Sequence, residues 1–265
     1  MIWRVFTLFL LSLCAQFNTI QIGYAGSLSW VTQDRWVTVS KVIDGDTFAT
    51  RDGERVRLLG INTPEIQHDT SPAQPFGNEA KALLTQLIDG QVVRLSFEIE
   101  KQDKYGRTLA HVYHRNGLWV NEEMLRLSSS FVYTFPPNIV KASALVRVEQ
   151  QAIQANQGIW QTSRWRVLLP EQLDHKLLGQ FRLVQGEITA LAKSDWQFAM
   201  GKLTVSVPRK YRKYFRNSPS VNAGDKVLVR GILRMSKKGK WFLSAHAPSD
   251  IKHIKNFLPE EHASR

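Results

Sequence analysis

The spacing of apolar residues divides the chain into short strands and a few helices. In the first half, alternation of apolar and polar residues predicts five strands. These strands cover residues 36–43, 47–51, 55–61, 91–98 and 108–114. Apolar residues at helical spacing predict helices over 78–88, 120–127 and 138–156. Turns at Asp44-Gly45 and Asp52-Gly53 connect the first three strands locally, so we expect an antiparallel meander.

The order of these elements indicates a fold that is mainly β with additional helices. Short antiparallel strands with a helix inserted after the third predict a five-stranded barrel of the OB type. The second half contains further alternating segments, over 181–191, 196–200, 202–207, 226–235 and 241–246. These segments predict a second, small OB-like β domain.

The predicted elements and the local composition divide the chain into five parts. They are a leader over 1–25, a barrel domain over 36–161, a linker over 162–179, a basic β domain over 180–255 and a tail over 256–265. A short helix is expected within the linker, near residues 171–178.

The leader has the features of a secretory signal peptide. Arg4 precedes an apolar run over 5–17, which is too short for a membrane span. Gly23 and Ala25 are small residues at the positions that a signal peptidase reads, so cleavage is expected after Ala25 and the protein is expected to be exported, either to a periplasm or out of the cell. An uncleaved N-terminal membrane anchor is the alternative. The only cysteine, Cys14, lies in the leader, so disulfides and zinc–thiolate sites are excluded from the cleaved chain.

Positive charge is concentrated in the C-terminal third. The whole chain has 35 Lys and Arg against 23 Asp and Glu. Residues 37–165 carry 14 basic and 14 acidic residues and are neutral, whereas residues 181–255 carry 16 basic and 4 acidic residues. Because the excess belongs to one region, we expect that region to hold a polyanion such as nucleic acid.

The stretch 209–216 alternates basic residues with aromatic ones, in a pattern that suits contact with phosphates and bases. Its candidate substrate-binding residues are Lys210, Tyr211, Arg212 and Lys213. A basic surface helix with a few packed aromatic residues is the alternative interpretation.

Polar residues also cluster at three places in the barrel region. They occur in 42–47 (Val-Ile-Asp-Gly-Asp-Thr), in 57–65 (Arg-Leu-Leu-Gly-Ile-Asn-Thr-Pro-Glu) and in 103–107 (Asp-Lys-Tyr-Gly-Arg). Tyr133 before a proline turn and Gly-Ile-Trp at 158–160 follow. With these motifs in this order, residues 37–160 resemble the staphylococcal nuclease (thermonuclease) family.

The resemblance implies a calcium site made of oxygen ligands. Asp46 would supply a carboxylate, Asn62 a side-chain oxygen and Thr63 its backbone carbonyl. Asp44 would support the site from outside the ligand set. Calcium accepts such hard oxygen ligands in relaxed geometry.

The resemblance also implies the groups that act on a phosphodiester. Arg57 and Arg107 would grip the phosphate and stabilise the charge of the transition state, and Glu65 would orient or deprotonate the attacking water. Contacts with the nucleotide are implied for Lys104, Tyr105 and Tyr133. The implied activity is calcium-dependent cleavage of DNA, RNA or both by a monomer with no membrane span after signal cleavage.

One residue departs from the family pattern. Position 62 is Asn, where the family usually has Asp, so the site has one negative charge fewer. Ligand charge helps to set calcium affinity, so we expect weaker calcium binding.

Two other functions remain possible from the sequence. The barrel could bind nucleic acid with little or no cleavage, a reading that Asn62 favours. Alternatively, the basic region could bind an anionic envelope polymer or membrane surface.

Overall fold

The computed structural model describes residues 34–67 and 72–256. The predicted signal peptide and all but the first residue of the predicted tail lie outside this range. Among the described helices, none combines the length and the apolar character that a membrane crossing requires.

The first half contains seven strands and three helices within the described residues. In chain order they are β1 (Arg35–Asp44), β2 (Thr47–Thr50), β3 (Arg55–Leu58), β4 (Ile61–Asn62), α1 (Gly77–Ile88), β5 (Val92–Ser96), β6 (Thr108–Tyr113), α2 (Val120–Arg126), β7 (Phe131–Val132) and α3 (Ala142–Ala155). Five of the strands close into a barrel in the order β1-β2-β3-β6-β5. The predicted five-stranded barrel is therefore confirmed.

Alternation along the strands builds the barrel core. In β5, Val93 and Leu95 point inward and are fully buried, while the other three residues of the strand are partly exposed. Phe48, Val56 and Leu58 fill the same core, and helices α1 and α2 pack against it. Each such side chain contributes about 1.5–3 kcal/mol through burial.

The predicted third strand ends earlier than expected. β3 stops at Leu58, and β4 pairs instead with β7, outside the barrel. Gly60 separates the two strands with φ +83°, and a Cβ there would lie 2.6 Å from the side chain of Leu145. This turn carries Asn62 away from the barrel wall.

The second half contains eight strands within the described residues. They are β8 (Phe181–Glu187), β9 (Ala190–Leu191), β10 (Gln197–Met200), β11 (Leu203–Ser206), β12 (Lys226–Ile232), β13 (Arg234–Met235), β14 (Trp241–Ser244) and β15 (Ile251–His253). The orders β13-β14-β11-β10-β9 and β15-β12-β8 define two sheets that share one core. The predicted second OB-like barrel is not confirmed. The predicted strands 181–191 and 226–235 each break, and their two pieces belong to different sheets.

The two halves share a hydrophobic core. Phe131 and Ile153 from the first half pack in one cluster with Leu183 and Leu228 from the second. The predicted linker contributes the buried Trp165 to the same cluster. The short helix expected in this linker is replaced by two 3₁₀ helices, Pro170–Gln172 and His175–Leu177.

A buried ion pair also joins the halves. Arg230 Nη1 in β12 donates a hydrogen bond to Glu149 Oε2 in α3 at 2.5 Å, and the two side chains are 1% and 0% exposed. The other Glu149 oxygen accepts from the backbone N–H of Val132 at 2.6 Å. Burial raises the pKa of Glu149, whereas Arg230 opposes that shift.

We expect Glu149→Gln to lower the free energy of unfolding by about 3–5 kcal/mol, because it removes the hydrogen-bonded countercharge of the buried Arg230. Glu123→Gln is the matched control, since Glu123 pairs with Arg126, whose side chain is 61% exposed. The control should change stability by about 1 kcal/mol or less. Denaturant unfolding measures both, and similar losses in the two variants would contradict a structural role for the buried pair.

A second buried carboxylate near this pair makes stability depend on pH. Asp250 is 6% exposed and accepts hydrogen bonds from the backbone N–H groups of His246 and Ala247. Burial raises the pKa of Asp250 to about 6, although these hydrogen bonds and Arg230 act in the opposite direction.

Because this pKa lies above its ordinary value, Asp250 stabilises the fold fully only in acid, and the contribution disappears as the pH rises from about 4 to about 6. Asp250→Asn should remove this dependence. Relative to wild type, the variant should gain about 2.4 kcal/mol between pH 4 and pH 7. Denaturant unfolding at both pH values measures the gain, and parallel stability curves would refute it.

Candidate active site

The turn between β1 and β2 carries the first predicted site residues. Asp44 ends β1, and Asp46 lies in the turn that follows. A Cβ on Gly45 would lie only 2.6 Å from Thr63 Oγ1 and 2.9 Å from the Cβ of Ala80. Glycine at this position therefore allows the turn to pack tightly against the chain after β4 and against α1.

Asp46, Arg57 and Asn62 form one buried hydrogen-bonded group. Arg57 Nη1 lies 2.8 Å from Asp46 Oδ2, and both residues are less than 10% exposed. Arg57 Nη2 donates to Asn62 Oδ1 at 2.6 Å, and Arg57 Nη1 also donates to the carbonyl oxygen of Leu58 at 3.0 Å. The predicted phosphate-binding arginine and two of the predicted metal ligands are thus in direct contact.

Further bonds fix the orientation of the Asp46 carboxylate. Oδ1 accepts from the hydroxyl of Thr47 at 3.0 Å, and Oδ2 accepts from the backbone N–H of Thr63 at 3.2 Å. Asp44 Oδ1 accepts from the backbone N–H of Asp46 at 3.0 Å, which braces the turn. Burial is the main cause that raises the pKa of Asp46, to about 7, and the charge of Asp44 adds to the effect while Arg57 opposes it.

The donor chemistry of this group fits a hard cation. The Asp46 carboxylate, the Asn62 side-chain oxygen and the Thr63 carbonyl are oxygen donors of the kind that calcium accepts. Burial of Asp46, more than the charge of Asp44, raises its pKa, and a bound cation would favour the ionised carboxylate. All three donors already accept hydrogen bonds, since Arg57 donates to Asn62 Oδ1, Thr47 and the Thr63 N–H donate to Asp46, and Asn62 Nδ2 donates to Thr63 O at 2.9 Å.

The donor set of Asp46, Asn62 and Thr63 contains only one carboxylate. Across residues 34–67 and 72–256, no group of three or more His, Cys, Asp or Glu side chains could hold a metal ion. Any cation at Asp46 therefore depends on neutral amide and carbonyl oxygens.

Glu65 is held through its backbone at the edge of this group. Its N–H donates to the side chain of Gln74 at 3.2 Å, and its carbonyl accepts from the N–H of Gln74 at 2.8 Å. Gly77, at the start of α1, approaches so closely that a Cβ there would lie 2.4 Å from the Glu65 carbonyl oxygen. The side chain itself is exposed to solvent.

A cleft of about 560 Å³ opens beside Arg57. Its charged and aromatic lining includes Arg57, Asp103, Lys104, Tyr105, Arg107, Tyr133 and Phe135. Five of the predicted catalytic or substrate-binding residues therefore face one space. Among the residues that the structure describes, Glu65 is not part of this lining.

Arg107 is fixed by a residue to which the sequence assigned no role. Asp103 Oδ2 accepts from Arg107 Nε at 2.8 Å and lies 2.7 Å from Nη2. Asp103 Oδ1 accepts from the backbone N–H groups of Tyr105 and Arg107. Burial alone would raise the pKa of Asp103, but the bonds with Arg107 outweigh it and lower the pKa. A sequence signal for this contact was available, because Asp103 and Arg107 carry opposite charges and lie four positions apart.

The aromatic residues of the cleft differ in burial. Tyr105 is 69% exposed, and Lys104 Nζ lies 4.8 Å from its ring centroid. Tyr133 is half-buried, which raises the pKa of its hydroxyl, while the charge of Arg57 acts in the opposite direction. Tyr105 is therefore available to a ligand, and Tyr133 forms part of the wall.

The predicted basic residues of the second half lie on a 3₁₀ helix, Arg209–Tyr214. Lys210 and Lys213 are exposed. Arg212 packs over the ring of Trp196 at 4.9 Å and donates to the carbonyl oxygen of Val207. Tyr211 stacks on His246, a residue that no motif in the sequence had indicated.

Comparison with known proteins finds one family in the first half of the chain. The sequence profile described as Staphylococcal nuclease homologue matches residues 55–162. The thermonuclease of Staphylococcus intermedius is 35% identical over 131 residues, which are 46% of this chain and 74% of that protein. The thermonuclease of Staphylococcus hyicus is 32% identical over 125 residues, covering 46% and 73%. Endonuclease YncB of Bacillus subtilis (strain 168) is 34% identical over 132 residues, covering 48% and 62%.

Proposed function

The chain belongs to the staphylococcal nuclease family, as its motifs predicted, and from this membership we propose that it is an exported, calcium-dependent nuclease. Its reaction is hydrolysis of the phosphodiester bonds of DNA, RNA or both. The observation that carries the proposal is the position of Arg57, which contacts the buried Asp46 at 2.8 Å and lines the same cleft as Arg107. Matching relatives named thermonuclease and endonuclease support the reaction class.

Two guanidinium groups on one cleft suit a phosphodiester substrate. During hydrolysis, negative charge accumulates on the oxygens around phosphorus, and a guanidinium can donate to two of those oxygens at once. Asp103 holds Arg107 through paired hydrogen bonds, so less conformational freedom is lost when the phosphate binds.

The calcium ion would be held by Asp46, Asn62 and the carbonyl of Thr63. When bound, it supplies Lewis-acid polarisation of a phosphoryl oxygen. Asp44 keeps the turn in place through its bond to the N–H of Asp46. Asn62 contributes no charge, so we expect calcium to bind more weakly than it would to two carboxylates.

Glu65 is the proposed base. Its side chain is exposed, so water can reach it, while the bonds to Gln74 fix its backbone. A carboxylate that orients the attacking water and accepts its proton contributes about 10²–10⁴-fold to the rate.

The substrate contacts extend beyond the reacting phosphate. In the cleft, Lys104, Tyr105 and Tyr133 are the proposed contacts with the nucleotide. In the second half, the proposed contacts are Lys210, Tyr211, Arg212 and Lys213. The charge of residues 181–255, with 16 basic against 4 acidic residues, supports binding of a polyanion.

Export rests on the leader. The Arg4-containing start, the apolar run and the small residues before the predicted cleavage position support secretion or release into a periplasm. No partner beyond nucleic acid is proposed.

A second candidate function is nucleic-acid binding without efficient cleavage. The observation that favours it is the bonding of Arg57, which is shared among Asp46, Asn62 and Leu58. Those bonds leave fewer N–H groups of Arg57 free to donate to a phosphate. A cleavage assay with controlled metal separates the two candidates.

We expect the mature chain to degrade plasmid DNA with calcium present and to stop when a chelator is added, because an oxygen-ligand site without calcium lacks its Lewis acid. Glu65→Gln should slow cleavage by about 10²–10⁴-fold through loss of the base. Glu79→Gln is the control, because Glu79 is also an exposed acidic residue nearby, in the first turn of α1. Absence of cleavage at every calcium concentration would favour the binding candidate.

Restoring the missing charge should tighten the metal site. We expect Asn62→Asp to raise calcium affinity by at least about tenfold, because one added negative charge a few ångströms from a divalent ion gains more than about 1.4 kcal/mol. Titration calorimetry with calcium measures the change. Asn116→Asp adds the same charge at an exposed position outside the site and should leave the affinity near that of wild type. Equal affinities for all three proteins would remove Asn62 from the proposed ligand set.

A further inference from the structure

Four aromatic rings form a continuous row from the cleft to the second half of the chain. Tyr133 and Phe135 line the cleft, and their ring centroids are 4.8 Å apart. The ring of Phe135 lies 5.5 Å from that of His246, which stacks on Tyr211 at 4.1 Å with an interplanar angle of 29°. We call these four rings the aromatic row. It begins at the proposed reacting phosphate and ends on the basic half.

The row is not sealed inside the protein. Phe135 is 40% exposed, and His246 and Tyr211 are both half-buried, so each keeps an accessible part. Rings that served only as packing between the two halves would be expected to be buried as Phe131 is, at 2% exposure.

Two exposed cations flank the far end of the row. Lys210 Nζ lies 4.7 Å from the ring centroid of Tyr211, and Arg234 lies near enough to influence His246. Burial lowers the pKa of His246, and the charges of Lys210 and Arg234 lower it further. The imidazole therefore stays neutral at neutral pH and does not add to the positive charge.

We propose that the aromatic row is a subsite for single-stranded nucleic acid leaving the cleft, in which an unpaired base stacks against His246 and Tyr211 while Lys210 and Arg234 contact phosphates. This inference rests on the proposed function, because it assumes that a nucleic-acid strand occupies the cleft. His246 and Tyr211 lie outside residues 55–162, so the subsite is an addition to the family domain.

The chemistry of the row favours an unpaired strand. Every base has an aromatic face, so stacking on a side-chain ring tolerates any sequence but requires a base that is free of its duplex neighbours. The cations pair with phosphates of any sequence. The subsite should therefore favour long single strands over dinucleotides, because a dinucleotide whose only phosphodiester lies in the cleft has no further base to place on His246.

Substrate length provides the kinetic test. We compare kcat/KM for a fluorogenic dinucleotide and a fluorogenic single-stranded dodecanucleotide of DNA. Tyr211→Ala and His246→Ala should each reduce the preference for the dodecanucleotide by about five- to a hundredfold, the effect of losing one base–aromatic stack. The matched control is Tyr214→Ala, which removes a half-buried ring from the same 3₁₀ helix, with Lys213 over that ring at 5.1 Å. It should keep the preference of wild type.

Equilibrium binding tests the subsite without catalysis. Fluorescence anisotropy of a labelled dodecanucleotide in chelator gives Kd, which Tyr211→Ala should raise by the same factor. Lys210→Ala should lower the slope of log Kd against log salt by about 0.7, as expected for one phosphate contact with a single strand. If wild type cuts neither substrate, the nuclease proposal fails, whereas these binding measurements still decide the subsite.

Three outcomes would overturn the subsite. They are equal effects of Tyr211→Ala and Tyr214→Ala, equal losses for short and long substrates, and an unchanged salt slope in Lys210→Ala. Thermal unfolding establishes that each variant is folded. Should Tyr211→Ala fail to fold, His246→Ala decides the stacking, and Lys210→Ala decides the phosphate contact, because Lys210 is exposed.

Discussion

The contact between Asp46 and Arg57 is the constraint on which the proposed site depends. It fastens the turn after β1 to β3, and it sets where the Arg57 guanidinium meets the cleft. Burying a charge costs free energy unless the charge is paired and hydrogen-bonded, and here Arg57 pairs with Asp46 while the Thr47 hydroxyl and the Thr63 N–H donate to it. Gly45 makes this possible, since a side chain at that position would collide with Thr63.

Asn62 alters the hydrogen bonding around Asp46 and Arg57. Its side-chain oxygen accepts from Arg57, and its amide nitrogen donates to the carbonyl of Thr63. Asn62 therefore differs from an Asp at this position in more than its charge, because its amide nitrogen can donate a hydrogen bond and an ionised carboxylate cannot. The same network that organises the proposed ligands also occupies some of their oxygen atoms. Metal binding would require part of this network to rearrange.

The two halves of the chain are joined more closely than a flexible linker would allow. Their shared core contains Phe131 and Leu228, and the Glu149–Arg230 pair is buried between them. A basic module on a loose tether would act by raising the local concentration of its ligand. A packed one presents Lys210 and Tyr211 at a fixed position relative to the cleft, as the proposed subsite requires.

The barrel, its helices and the family could be predicted without the structure, because strand alternation, helical spacing and short motifs are local patterns. The barrel closed as predicted, and Arg57, Tyr105 and Arg107 line one cleft. Only the tertiary structure showed Asp103 holding Arg107, the broken strands of the second half and the approach of His246 to Phe135. Contacts between residues far apart in the chain depend on how helices and strands pack against one another. No local pattern in a single sequence shows that packing.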